Sequence, residues 1–243
     1  GLSLQNQLAW FKQKQAIYAA PDQNLDASGT GEGPTYDALF EIDAVSTWNP
    51  NVAMGLSFAL PEGVHVGLSA QPPTPFKASG TVRAVVPQAL IDQGIGVTGD
   101  KASLEITFPW IVRGGVRWVQ DAFEVELAGV YEAWSAQQRI LLTPEDIAIT
   151  GVTEEPLKVP AIPIEKGYVD AGSVRLGGSV KPGKFIPALS FLEVRLGGLY
   201  ETSAVPLERQ NIDSPSWDRF GVSGGLGFTF GDVELSLYYT KLI

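Results

Sequence analysis

Glu124 and Glu126 stand two residues apart, as do Glu193 and Arg195, and Arg113 and Arg117 stand four apart, so in extended chain each set projects from one side. Carboxylates at that spacing could act as a general acid and base, and a row of mixed charge could select or guide a solute along a pore. The catalytic option lacks its partners. No nucleophile, base and orienting group recur together, and Glu124 and Glu126 repeat because one face of a strand is polar. With one histidine, His65, and no cysteine, multi-histidine metal sites and thiolate chemistry are excluded. Gly177-Gly178, Gly197-Gly198 and Gly224-Gly225 are not phosphate loops, because they sit mid-strand with no helix following. No enzyme activity, cofactor or metal is expected. The charged set Glu105, Arg113, Arg117, Glu124, Glu126, Arg175, Glu193 and Arg195 keeps two readings open. One is a lumen that selects solute; the other is structural ion pairing between neighbouring strands that satisfies a wet interior.

The elements that carry these residues are strands. From 102 to 118 the even positions are apolar or glycine, among them Leu104, Ile106, Phe108, Trp110, Val112, Val116 and Trp118, while Ser103, Glu105, Thr107, Arg113 and Arg117 alternate with them. After Gln120-Asp121 the parity inverts, and Phe123, Val125, Leu127 and Tyr131 become the apolar set. A two-residue hairpin produces such an inversion. Pairing 119 with 122 sets Trp118 opposite Phe123 and Arg117 opposite Glu124, so both faces gain a favourable pair. A second alternating run, from 38 to 60, is too long for one bilayer crossing at about 3.3 Å per residue. It must overhang the membrane or bend near Asn49-Pro50, the candidate strand kink.

Counting such runs gives about nine strands. Their connections alternate between long (19 to 36, 87 to 100, 143 to 166, 204 to 218) and short (61 to 63, 120 to 121, 182 to 187, 231 to 232). Gly63 supplies the positive φ that a three-residue loop requires. One rim of tight turns and one of excursions is the asymmetry of an outer-membrane barrel, with aromatics such as Phe58, Trp118, Phe123, Phe228 and Phe230 beside the short turns. The chain of 243 residues carries 17 basic and 27 acidic groups, for a net charge of −10 without a basic patch, which argues against a nucleic-acid partner. No apolar run reaches the length of a transmembrane helix, but that test is blind to strands that alternate. No signal peptide precedes Gly1, which marks the sequence as processed or as part of a longer chain.

Several stretches together resemble the FadL-type outer-membrane transporters of long-chain fatty acids and aromatic hydrocarbons. They are GVHVGLSAQPP (63 to 73), KASGTV (77 to 82), LEITFPWIVRGGVRW (104 to 118), FEVELAGVYEAWSAQ (123 to 137), KGYVDAGSVRLGG (166 to 178), VRLGGLYETSAVP (194 to 206) and GVSGGLGFTFGDVELSLYY (221 to 239). The resemblance implies an all-β fold, an antiparallel transmembrane β-barrel of about fourteen strands in the bacterial outer membrane. It implies a monomeric barrel surrounded by outer-membrane lipid and lipopolysaccharide, a hydrophobic small-molecule substrate in the lumen, and no cofactor. It also implies an N-terminal hatch inside the barrel and sideways release through an opening at a strand kink. Residues 1 to 243 would then form an incomplete barrel domain, its central and C-terminal part, without the hatch and about five strands, since about nine strands ending on opposite rims do not close. The expected function is passive uptake of hydrophobic compounds. The alternatives are a barrel of the same architecture that docks or anchors a larger envelope complex, and a soluble β-rich binding domain.

Overall fold

The computed structural model describes residues 1–18, 37–210 and 216–243. The long polar connection expected at 19 to 36, and Pro215 in the connection expected at 204 to 218, lie outside the described residues. Strands β1 (Leu2–Asn6), β2 (Ala9–Tyr18), β3 (Asp37–Ser46), β4 (Pro50–Ala59), β5 (Val64–Gln71) and β6 (Thr74–Val85) come first. They are followed by β7 (Gly96–Thr98), β8 (Lys101–Phe108), β9 (Ile111–Val119), β10 (Phe123–Glu132), β11 (Arg139–Pro144) and β12 (Ala148–Thr150). Then come β13 (Leu157–Lys158), β14 (Ile162–Glu165), β15 (Ala171–Val180), β16 (Leu192–Glu201), β17 (Arg219–Phe230) and β18 (Val233–Leu242). Every pairing is antiparallel. A nine-stranded lower sheet runs β1-β4-β5-β9-β10-β15-β16-β17-β18, and a six-stranded upper sheet runs β2-β3-β6-β8-β11-β14.

The upper sheet continues the lower one. Each of its strands is the chain neighbour of the lower strand in the same place, and the interruptions at 7–8, 47–49, 72–73, 109–110, 133–138 and 166–170 fall on one line across both sheets. Proline explains part of the line, since Pro50, Pro72, Pro73 and Pro109 cannot donate a ladder hydrogen bond. Across 72–73 and 109–110 the register survives: Gln71 pairs with Ile111 below and Thr74 with Phe108 above. Lower strands β9, β10, β15 and β16 are 9 to 10 residues long, the length of a tilted strand that crosses a bilayer once.

Exposure inverts across the same line. Below it large apolar side chains are exposed, as at Leu56 (61 %), Leu127 (52 %) and Leu196 (70 %), while Ser173 and Ser179 on the other face are buried. Above it Ala44, Ala78 and Ala102 are buried, and the exposed face carries the ion pairs Lys12–Asp43, Lys14–Glu41, Lys77–Glu105 and Arg83–Asp100. The even positions from 102 to 118, one apolar set in the sequence, from which a single lipid-facing stripe is expected, do not form one. Val112, Val116 and Trp118 are exposed, whereas Ala102 is buried and Leu104, Ile106 and Phe108 are half-buried. The medium outside decides this: hydrocarbon surrounds the lower sheet, and water surrounds the upper one. Exposed Trp10, Trp48 and Trp110 lie within three residues of the line, where an aromatic belt meets the headgroups.

The tight turns hold the lower rim. Gly231 takes φ 58° in a two-residue turn that pairs Phe230 with Val233. Gly63 has φ 79°, and a Cβ built there would stand 2.1 Å from the Val119 carbonyl oxygen, so the turn of β4–β5 seats against the end of β9 only with glycine. The β9–β10 hairpin pairs two residues further along than expected: Val119 pairs with Glu124 and Trp118 with Val125. That shift of two in register leaves every side chain on its face. Trp118 and Phe123 meet diagonally, ring centroids 5.1 Å apart, and Arg117 still reaches Glu124. At the opposite rim the connections expected at 87 to 100 and 143 to 166 are not bare loops. They contain a helical turn (Gln88–Ile91), strand β14, and a third small sheet, β13-β12-β7, anchored where Asp146 Oδ1 accepts from the Lys101 N–H at 2.7 Å.

Candidate functional site

The inner face of the lower sheet is polar because its alternate residues are the charged and serine positions. Glu193 and Arg195 share one face of β16, and the guanidinium makes two bonds to the carboxylate, Nε–Oε1 at 3.0 Å and Nη2–Oε2 at 3.1 Å. Glu234 and Ser236 of β18 complete its surroundings at 3.4 and 3.2 Å. One hairpin away, Arg117 Nη2 lies 2.5 Å from Glu124 Oε2. These pairs border an inner space of about 720 Å³ that Glu126 and Arg175 also line. Arg113, Glu126 and Arg175 share a second space of about 640 Å³. Among the described residues neither Arg113 nor Arg175 has a carboxylate within ion-pair reach. Glu105 stands apart, on the exposed face of the upper sheet, 2.8 Å from Lys77 Nζ.

Above the charged band the inner surface becomes aromatic. Phe76, Phe108, Trp134 and Tyr168 form a chain of edge-on contacts with centroids 5.9, 6.2 and 5.5 Å apart. Trp134 Nε1 donates to Glu132 Oε2 at 2.7 Å, and burial raises the Tyr168 phenol above its ordinary pKa. Trp134, Tyr168 and Ile106 wall a cavity of about 310 Å³ whose other side is Ser173, Arg175 and Thr202. Ile106 in that wall places the apolar set of the upper sheet on the lumen side. The sequence offered no alternation signal for Trp134 or Tyr168, because both lie in the interruptions; the cue was an aromatic just beyond each strand end.

The interruption between β3 and β4 is a buried polar knot. Asn49 Nδ2 donates to the Gln7 carbonyl at 2.8 Å, the Asn49 N–H donates to Asn6 Oδ1 at 2.8 Å, and Ser46 Oγ lies 2.9 Å from Asn49 Oδ1. Pro50 follows and opens β4.

Two tyrosine–aspartate clasps close the outer rim. Tyr131 and the Ser135 N–H donate to Asp170, and Tyr200 and the Ser203 N–H donate to Asp218 in the same pattern. Hydrogen bonds from the Ser135 side chain, Tyr131 and the Ser135 N–H hold the Asp170 carboxyl below the ordinary carboxylate range. The Asp170 clasp therefore contributes stability above the ordinary aspartate pKa and loses it as pH falls through the depressed folded value. Acidification below about pH 4 should increase proteolytic nicking around 133–138, and Asp170→Asn should give that increase at neutral pH and remove its pH dependence.

Antiparallel strands of bilayer length, apolar outside and polar inside, with aromatics at both rims, define the wall of a transmembrane β-barrel of the outer-membrane type. The model of the outer membrane protein transport protein family (OMPP1/FadL/TodX) matches residues 1–237, and the chain belongs to that family; its place is the bacterial outer membrane. That assignment sets aside the soluble β-rich alternative. The fold is similar to the crystal structure of a Pseudomonas aeruginosa FadL homologue, at 17 % identity and TM-score 0.71, over 98 % of this chain and 53 % of that one. It is also similar to the Ralstonia pickettii toluene transporter TbuX, at 13 % identity and TM-score 0.60, over 98 % of this chain and 57 % of that one. The P. putida toluene transporter TodX matches at 14 % identity and TM-score 0.52, over 98 % of this chain and 58 % of that one. The chain thus spans a little over half the length of these structures. A sequence comparison with curated proteins finds no match.

Proposed function

We propose that this chain forms part of a monomeric channel that takes up hydrophobic compounds passively, long-chain fatty acids or aromatic hydrocarbons, across the outer membrane. The supporting observation is the exchange of faces at the line of interruptions. Apolar side chains that are useless to lipid above the bilayer turn inward, so a hydrophobic solute entering from the long-loop rim meets Phe76, Phe108 and Trp134 before the charged band. In this reading Arg117–Glu124 and Glu193–Arg195 keep the wet wall in register, and Arg113, Glu126 and Arg175 are left to meet solute. Asn49-Pro50 is the bend at which the wall passes from hydrocarbon to water. The test is uptake of labelled toluene and oleate by cells with the intact protein deleted and restored. Uptake that returns with the gene supports the channel; uptake unaffected by deletion, with protein export impaired, replaces it with the docking role.

A further inference from the structure

Arg175 is the one residue that lines all three inner spaces described above. The other arginines facing these spaces in β9 and β16, Arg117 and Arg195, are held by carboxylates of their own, and Arg219 is held by Glu201. Arg175 has no such partner among the described residues, and neither does Arg113 beyond it. Two acidic groups also face the aromatic cavity: Glu201 pairs with Arg219, and Glu132 accepts from Trp134 Nε1 and keeps its charge. Glu126 shares only the lower spaces with Arg175. The cavity is therefore aromatic at its top, where Trp134 and Tyr168 stand, and cationic where Arg175 enters it.

We propose that Arg175 is a specificity-determining residue that makes this channel favour aromatic carboxylates, with the ring against the wall that Trp134 and Tyr168 form and the carboxylate on the guanidinium. The proposal rests on the channel reading above and narrows it. At about 310 Å³ the cavity has roughly twice the volume of a dry cavity of about 150 Å³ that holds one benzene, which suits a ring with a short substituent. A guanidinium presents paired N–H donors in the geometry of a carboxylate, and a charge-assisted bond exceeds a neutral one.

The intact protein in detergent is titrated with 4-ethylbenzoate, the neutral 4-ethylnitrobenzene of the same shape, and the cationic 4-ethylbenzylamine. The carboxylate should bind most tightly, with an affinity that falls with added salt. Arg175→Met should weaken it by about 10-fold or more, Arg175→Lys should keep part of the preference, and the neutral compound should bind all three proteins alike. Retained heat-modifiable gel migration identifies the folded variants, and the preference and salt dependence of the unmodified protein test the proposal without any variant. Equal or tighter binding of the neutral or cationic compound, or indifference to Arg175→Met, overturns the role of Arg175 and leaves the channel intact. No binding of any of the three overturns both.

Discussion

Val116→Arg should destabilise the barrel by about 2 to 4 kcal/mol, whereas Val85→Arg should stay within about 0.5 kcal/mol of the unmodified protein. The two valines are about equally exposed, 47 % and 55 %, so accessibility does not separate them. What separates them is the medium. Val116 lies in the middle of β9, on the face that carries Val112 and Trp118, and an arginine there must place its charge in hydrocarbon or distort the bilayer to escape. Val85 closes β6 on the face that carries Lys77 and Arg83, where an added cation meets water. Urea unfolding from lipid vesicles measures both. Equal costs would mean that the line of interruptions does not mark the membrane boundary.

Asn49→Leu should cost about 1 to 3 kcal/mol in the same assay, from a side chain only 1 % exposed. Leucine has nearly the same size, so the loss comes from stranded partners and not from a void. The Gln7 carbonyl loses its Nδ2 donor where water has little access, while Ser46 Oγ keeps the Lys77 carbonyl as its acceptor at 2.5 Å. Asn49→Asp at neutral pH turns a buried carboxylate oxygen toward the Gln7 carbonyl, so its cost should be at least as large and should fall as acid protonates it. Leucine at the exposed Trp48 should leave stability unchanged within about 0.5 kcal/mol, which separates the knot from its neighbour in sequence. A neutral Asn49→Leu would show that the bend is held by Pro50 alone.

The alternation of apolar and polar residues determined most of the lower sheet. Strand existence, the face of Val116 against Arg117, the Gly231-Asp232 turn and the nine-strand order follow from period-two patterning, because a slip by one residue would put charge into lipid. Hairpin register was legible only to within two residues, since such a shift preserves every face; in the fold the Gln120 N–H donates to the Phe123 carbonyl at 2.8 Å and closes the observed turn. Parity also carries no sign. Leu104 and Val116 share it, yet one turns toward the lumen and the other toward lipid, and only the break at 109–110 and the burial around it distinguish them. Glu105 looked like a lumen residue for the same reason, and the fold puts it outside beside Lys77. The aromatic cavity was hidden more deeply, because Trp134 comes from one interruption, and Tyr168 and Arg175 come from another and the strand after it, tens of residues further along the chain. Local patterning fixes which residues share a face. Which medium that face meets, and which distant side chains share it, depend on how the strands pair and bend in three dimensions.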